Sequence, residues 1–233
     1  MRLKRMPESH IPKDLGVFYD ALAIGAPDYT GNLYRFEQAQ RRVKRLLEWC
    51  RDLAENRGVK NVLEMGCAEG YVTRRLSAIF EWVWAFDISA ELIARCPSLH
   101  NVKFYQADAR SVEICSPDNR TESDDNALVI MSEILEHLRD PRELLERWAP
   151  AVRYLLVTCP VTELINKNAF DASLITRETY PGDATGHIWA MDMAGFKSLF
   201  KGLPCKIVKS VWLGHSGLAL LERIPAVEAE AEA

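Results

Sequence analysis

The sequence predicts an α/β protein: a three-layer sandwich around a mostly parallel, seven-stranded sheet that ends in a C-terminal antiparallel hairpin. Three observations predict it. Short apolar runs alternate with stretches of helical spacing between residues 61 and 158, a glycine-rich turn follows the first run, and the chain closes with two β-rich runs around a tight turn.

The elements follow in order. Residues 35–51 place Phe36, Ala39, Val43, Leu46, Leu47 and Cys50 three or four apart, one face of a helix, with Arg35, Arg41, Arg42, Lys44 and Arg45 around it as a solvated basic face. Next come a strand at Asn61–Met65 and a helix over Tyr71–Ile79, a strand at Trp82–Phe86 and a helix over Ala90–Arg95, then a strand at Val102–Gln106. A strand at Ala127–Met131, a helix ending at Trp148 and a strand at Tyr154–Thr158 complete the alternation, which implies parallel strands joined by right-handed crossovers. Asp140-Pro141-Arg142-Glu143 reads as a capping box with proline at the first helical position. After a long segment, Pro160 to Trp189, a helix is expected near Asp192–Phe200. The final strands, Cys205–Trp212 and Leu218–Arg223, flank Gly214-His215-Ser216-Gly217, a hairpin turn. Asp118–Asp125 reads as a solvated acidic loop. The chain divides into an N-terminal helical extension or lid (1–52), the main domain (53–224) and a frayed tail (225–233).

Bulk properties narrow the function. The 233 residues suit one domain, and no apolar stretch approaches the roughly 20 residues that span a bilayer. The N-terminus lacks the apolar block of a secretory signal, so a cytoplasmic location is expected. Six cysteines (Cys50, Cys67, Cys96, Cys115, Cys159, Cys205) form no CxxC pair and no zinc spacing, as befits thiols of a reducing compartment. A net charge of −4 gives no reason for generic nucleic-acid binding, and a small-molecule substrate fits more easily.

The chemistry gathers at strand ends. The first strand runs into Glu64-Met65-Gly66-Cys67-Ala68-Glu69-Gly70-Tyr71, where small residues at 66, 68 and 70 let a ligand approach the backbone. A dinucleotide loop, G-x-G-x-x-G, would place its third glycine at Tyr71, which argues against nicotinamide or flavin. The second strand ends at Asp87, the third leads into Gln106-Ala107-Asp108-Ala109, and the fourth continues as Ser132-Glu133-Ile134-Leu135-Glu136-His137-Leu138. Ligands of open α/β sheets bind beyond such carboxyl ends.

Together these segments resemble class I S-adenosylmethionine-dependent methyltransferases over residues 60 to 160. Two departures are Ala68 in place of the commoner middle glycine and Ala149-Pro150-Ala151 in place of a glycine pair. The resemblance implies a Rossmann-like fold, S-adenosyl-L-methionine as cofactor and S-adenosyl-L-homocysteine as product. It implies that Glu64 and the loop hold the methionyl end, Asp87 the ribose hydroxyls and Asp108 the adenine amino group. Gly66, Cys67, Ala68, Gly70, Tyr71, Ile88, Ala109 and Ser132 complete the expected cofactor site.

The expected reaction is methyl transfer to an oxygen or nitrogen of a small molecule, such as a sugar or natural product. It is an in-line displacement driven mainly by positioning, with a base where the acceptor must lose a proton. His137, beside the cofactor, is the first candidate base, although an imidazole that locks the turn is an equal reading. Glu133, and His187 at the end of the long segment, are the other catalytic candidates; His10, His100 and His215 have no such context. Phe18, Tyr19, Tyr29 and Tyr34 suit a lid or a hydrophobic anchor. No metal is expected. An alternative resembles metal-dependent RNA 3′-terminal 2′-O-methyltransferases, with Glu133, Glu136, His137 and His187 holding Mg²⁺ or Mn²⁺. Another is a non-catalytic regulator that binds S-adenosylmethionine.

Overall fold

The computed structural model describes residues 3–5, 14–25, 37–112, 126–161 and 189–225. In chain order these form β1 (Leu3–Arg5), α1 (Leu15–Gly25), α2 (Glu37–Arg57), β2 (Asn61–Met65), α3 (Thr73–Leu76), β3 (Trp82–Asp87), α4 (Ala90–Ile93) and β4 (Val102–Gln106). There follow β5 (Leu128–Ser132), a 3₁₀ turn at Leu135–His137, α5 (Pro141–Trp148), β6 (Tyr154–Pro160), β7 (Trp189–Met191), α6 (Met193–Ser198), β8 (Cys205–Trp212) and β9 (Ser216–Arg223).

Seven strands pair in the order β4-β3-β2-β5-β6-β9-β8. β2 through β6 run parallel, and β9 is antiparallel to both β6 and β8. This is the predicted sheet with its C-terminal hairpin. The order reverses at β2, which has β3 on one side and β5 on the other, so a crevice opens at the carboxyl ends of these strands.

Both faces of the sheet are covered. In β5, Leu128 and Ile130 join one core with Val43, Leu46, Leu53 and Val62, while Val129 and Met131 join a second with Leu144, Trp148 and Phe196. A strand buried on both sides reads as a continuous apolar run, as Ala127–Met131 does.

Several boundaries moved for physical reasons. α2 continues beyond residue 51, because Leu53 extends the buried stripe of Leu46 and Cys50. It passes through residue 52 and stops at Gly58, whose φ of +68° turns the chain so that the Val59 amide donates to the Leu53 carbonyl. The helix expected over Tyr71–Ile79 is regular only at Thr73–Leu76, with turns on either side. Asp140 caps α5 as predicted, accepting from the Arg142 amide at 2.9 Å. The antiparallel pair β1–β7 had no counterpart in the sequence reading. The acidic loop, most of the long segment after β6 and the tail lie outside the described residues.

Candidate active site

The crevice holds a cavity of about 400 Å³ at the carboxyl ends of β2 to β6, in the size range of small-molecule sites. Its floor is the loop after β2. Gly66 (φ +78°) and Gly70 (φ +76°) take left-handed conformations, and so does Ala68 (φ +47°). The Gly66 and Cys67 amides both donate to the Phe86 carbonyl, tying the loop to the end of β3. A side chain at Gly66 would meet Ile134 Cδ1 at 3.3 Å as well as backbone strain.

Asp87 lines this cavity at the tip of β3. Its two carboxylate oxygens accept from the Ala68 amide (2.8 Å) and the Ser89 amide (2.9 Å). Burial pushes its pKa up against these bonds. Asp108 also lines the cavity, gripped through both oxygens by Arg110 (Nε at 3.0 and 3.1 Å), which holds its carboxyl below the usual range.

Glu64 behaves differently. Its side chain is buried beneath the loop rather than on the cavity wall, and it accepts a 2.6 Å hydrogen bond from the Thr73 hydroxyl. Burial raises its pKa to about 8. The expected convergence of three carboxylates is therefore a convergence of two, Asp87 and Asp108, with Glu64 supporting the loop from below. Of the other expected cofactor residues, Gly66, Ala68, Ile88, Ala109 and Ser132 reach the wall; Cys67, Gly70 and Tyr71 do not. Gly70 packs against Phe104, and the Tyr71 ring lies under the Arg75 guanidinium at 3.7 Å.

His137 and Glu133 both line the cavity. The Tyr19 hydroxyl lies 2.7 Å from His137 Nδ1, and Nε2 on the other side is 3.6 Å from a carboxylate oxygen of buried Glu136. Burial raises the Glu136 pKa, helped by the charge of Glu133. Glu133 has φ +56°, so it stands outside the following 3₁₀ turn rather than on one helical face with Glu136 and His137. Its carboxylate accepts from the Thr158 hydroxyl (2.9 Å) and pairs with Arg42 (2.9 Å). Three of the alternative metal quartet, Glu133, Glu136 and His137, are described, and among the described residues no group of three or more His, Cys, Asp or Glu is placed to hold a metal. His187 lies outside the described residues.

Sequence reasoning missed part of the wall. Arg42 was assigned to a solvated face, yet it points from α2 to Glu133 and Ser216. Its signal was present: Arg42 sits between Ala39 and Val43, at the border of the apolar stripe. His215 and Ser216 line the cavity from the turn into β9 and Leu15 from α1, beside Tyr19, one of the aromatics expected to suit a lid. No short motif carries these residues, because distant elements bring them in.

Residues 32–210 match the family described as Methyltransferase domain. The chain belongs to this methyltransferase family. Solved structures similar to this methyltransferase include a DhpI–SAH complex (20% identity, TM-score 0.61, covering 91% of this chain and 100% of that one). Another is magnesium protoporphyrin IX methyltransferase (ChlM) from Synechocystis PCC 6803 with bound SAH (15%, 0.57, 80% and 83%). A third is the N-methyltransferase NodS from Bradyrhizobium japonicum WM9 in complex with S-adenosyl-L-homocysteine (19%, 0.55, 82% and 90%). No curated protein matches the chain. Among the described residues no helix is long and apolar enough to cross a membrane.

Proposed function

We propose that this methyltransferase binds S-adenosylmethionine along the carboxyl ends of β2–β5 and passes its methyl group to an oxygen or nitrogen of a small molecule, a sugar or natural product being the favoured class. The observation that carries this reading is Asp87. It lies on the cavity wall at the tip of β3, its carboxylate oriented by the Ala68 and Ser89 amides, where a ribose hydroxyl could donate to it.

The surrounding residues suit the same ligand. Gly66 allows the close approach that a methionyl chain needs, and Phe86, Ile88, Leu92 and Ala107 give an apolar lining for an adenine ring. Asp108 stands on the same wall, with each oxygen accepting twice from Arg110, so reaching an adenine amino group would require it to give up part of that grip.

When bound, the sulfonium supplies an electrophilic methyl carbon. The chain's own task is to align the acceptor in a water-poor cavity and to receive its proton where one must leave. Tyr19 and His137 are joined by a hydrogen bond and both line the cavity, so they stand where that proton would go.

Titration calorimetry with S-adenosylmethionine tests the reading. Binding is expected for the native chain, with a loss of at least tenfold in affinity for Asp87→Ala and Gly66→Val. Equal affinity in all three proteins would overturn it.

A further inference from the structure

Two cysteines meet beneath the loop on which the proposed cofactor would rest. Cys67 belongs to the loop itself; Cys96 follows α4, 29 positions later in the chain. Their thiols converge on one acceptor, the Ala68 carbonyl, at 3.7 Å from Cys67 Sγ and 3.3 Å from Cys96 Sγ. Cys96 has a second contact, to the Leu92 carbonyl at 3.6 Å. The neighbouring Cys96 thiol is also the largest influence keeping the proton on Cys67, followed by burial and the charges of Glu64 and Asp87.

The Ala68 peptide is the pivot of the loop. Its amide fixes Asp87 at 2.8 Å, its carbonyl receives both thiols, and its φ of +47° is one that a residue with a Cβ holds only when its surroundings impose it. Whatever removes the two thiol protons removes the donors on one side of that peptide while Asp87 still holds the other.

We infer that Cys67 and Cys96 form a thiol pair that small disulfides oxidise to an internal disulfide, and that this bond disables the loop as a cofactor seat. The inference rests on the proposed S-adenosylmethionine site for its second half only. Cys96 is partly exposed and Cys67 is buried, which sets the order of events. Cys96 as thiolate attacks the small disulfide, forming a mixed disulfide and releasing one small thiolate. Cys67 then gives up its proton to solvent and its sulfur displaces the second small thiolate from Cys96. Two protein thiols are oxidised and one small disulfide is reduced to two thiols. The second displacement is the slow one, because Cys67 holds its proton well above the ordinary thiol range.

The full chain is incubated with oxidised glutathione, its remaining thiols are alkylated, and the disulfides are mapped by mass spectrometry. Calorimetry with S-adenosylmethionine is run before treatment, after it, and after reduction with dithiothreitol. The expected result is a Cys67–Cys96 bond with at least a tenfold loss of affinity, restored by dithiothreitol. Cys96→Ser, or Cys96→Ala if the serine variant does not fold, is expected to keep its affinity through the same treatment. Recovery of Cys67 and Cys96 both alkylated, or an equal loss of affinity in the Cys96 variant, overturns the inference. So does a mapped bond that leaves affinity unchanged. A reduced native chain that does not bind S-adenosylmethionine overturns the functional reading instead, and the mapping then still decides whether the bond forms.

Discussion

Ala68 shows how one side chain records the demands of its loop. A left-handed residue with a Cβ is strained by roughly 1–2 kcal/mol, and Ala68 is held there by Asp87 on its amide and two thiols on its carbonyl. Ala68→Gly is therefore expected to raise the free energy of unfolding by about 1 kcal/mol, read by urea denaturation. A decrease would mean that its methyl group packs better than its backbone suffers.

Glu64 makes a prediction of a different kind. Its folded pKa, about 8, lies above the ordinary value of 4.5, so the folded state binds the proton more tightly than the unfolded chain. Its contribution to stability is complete below about pH 4.5 and is lost as the pH rises through about 8. Glu64→Gln keeps the shape and cannot ionise. Relative to the native chain it is expected to gain stability from pH 5 to about pH 8 and level off above it, by on the order of 4 kcal/mol in total. Parallel stability curves for the two proteins would contradict this.

At the scale of elements, α1 is fastened over the cavity by few bonds. Asp20 accepts from the Ser89 hydroxyl (2.6 Å) and the Glu91 amide (3.2 Å) at the start of α4, and Arg95 donates to the Ala23 carbonyl (2.7 Å). A hydrogen bond to a charged group contributes about 1.5–3 kcal/mol, so Asp20→Ala should loosen this helix without unfolding the sheet. Hydrogen exchange of the amides of residues 15–25 is expected to quicken about tenfold, while β2 and β5 keep their protection.

The elements also show what the sequence made legible. β2, β4 and β8 were predicted residue for residue, because each is bounded by a turn signal and rich in β-favouring side chains. The β1–β7 pair has three residues per strand, too few for any period to declare itself, and its partner lies across most of the chain. The site divides in the same way. Asp87 and Asp108 were readable because strand ends in an alternating α/β pattern must meet at one edge. Arg42 and Ser216 were not, since their place depends on how α2 and the hairpin pack over that edge. Glu64 stands at the strand end as expected, but its side chain direction was not legible: alternation along β2 turns it inward to Thr73.

For the molecule as a whole, a ligand that binds only the folded chain stabilises it by mass action. At one hundred times the dissociation constant the gain is about 2.7 kcal/mol. S-adenosylmethionine at that excess is expected to raise the melting temperature of the native chain by several degrees and that of Asp87→Ala by about half as much or less at the same concentration. A uniform shift in both proteins would point to binding elsewhere.

The placement of β9 has a bearing on biosynthesis. This strand, Ser216–Arg223, is inserted between β6 and β8, and its Leu218 and Leu220 share a core with Val43 and Leu46 of α2. A ribosome that has not yet released residues 216–223 therefore holds a nascent chain whose early helix lacks part of its seat and whose sheet ends at β6. Because β8 reaches the sheet only through β9, the two outermost places of the sheet fill together, and β8 waits, already synthesised, for the strand that follows it.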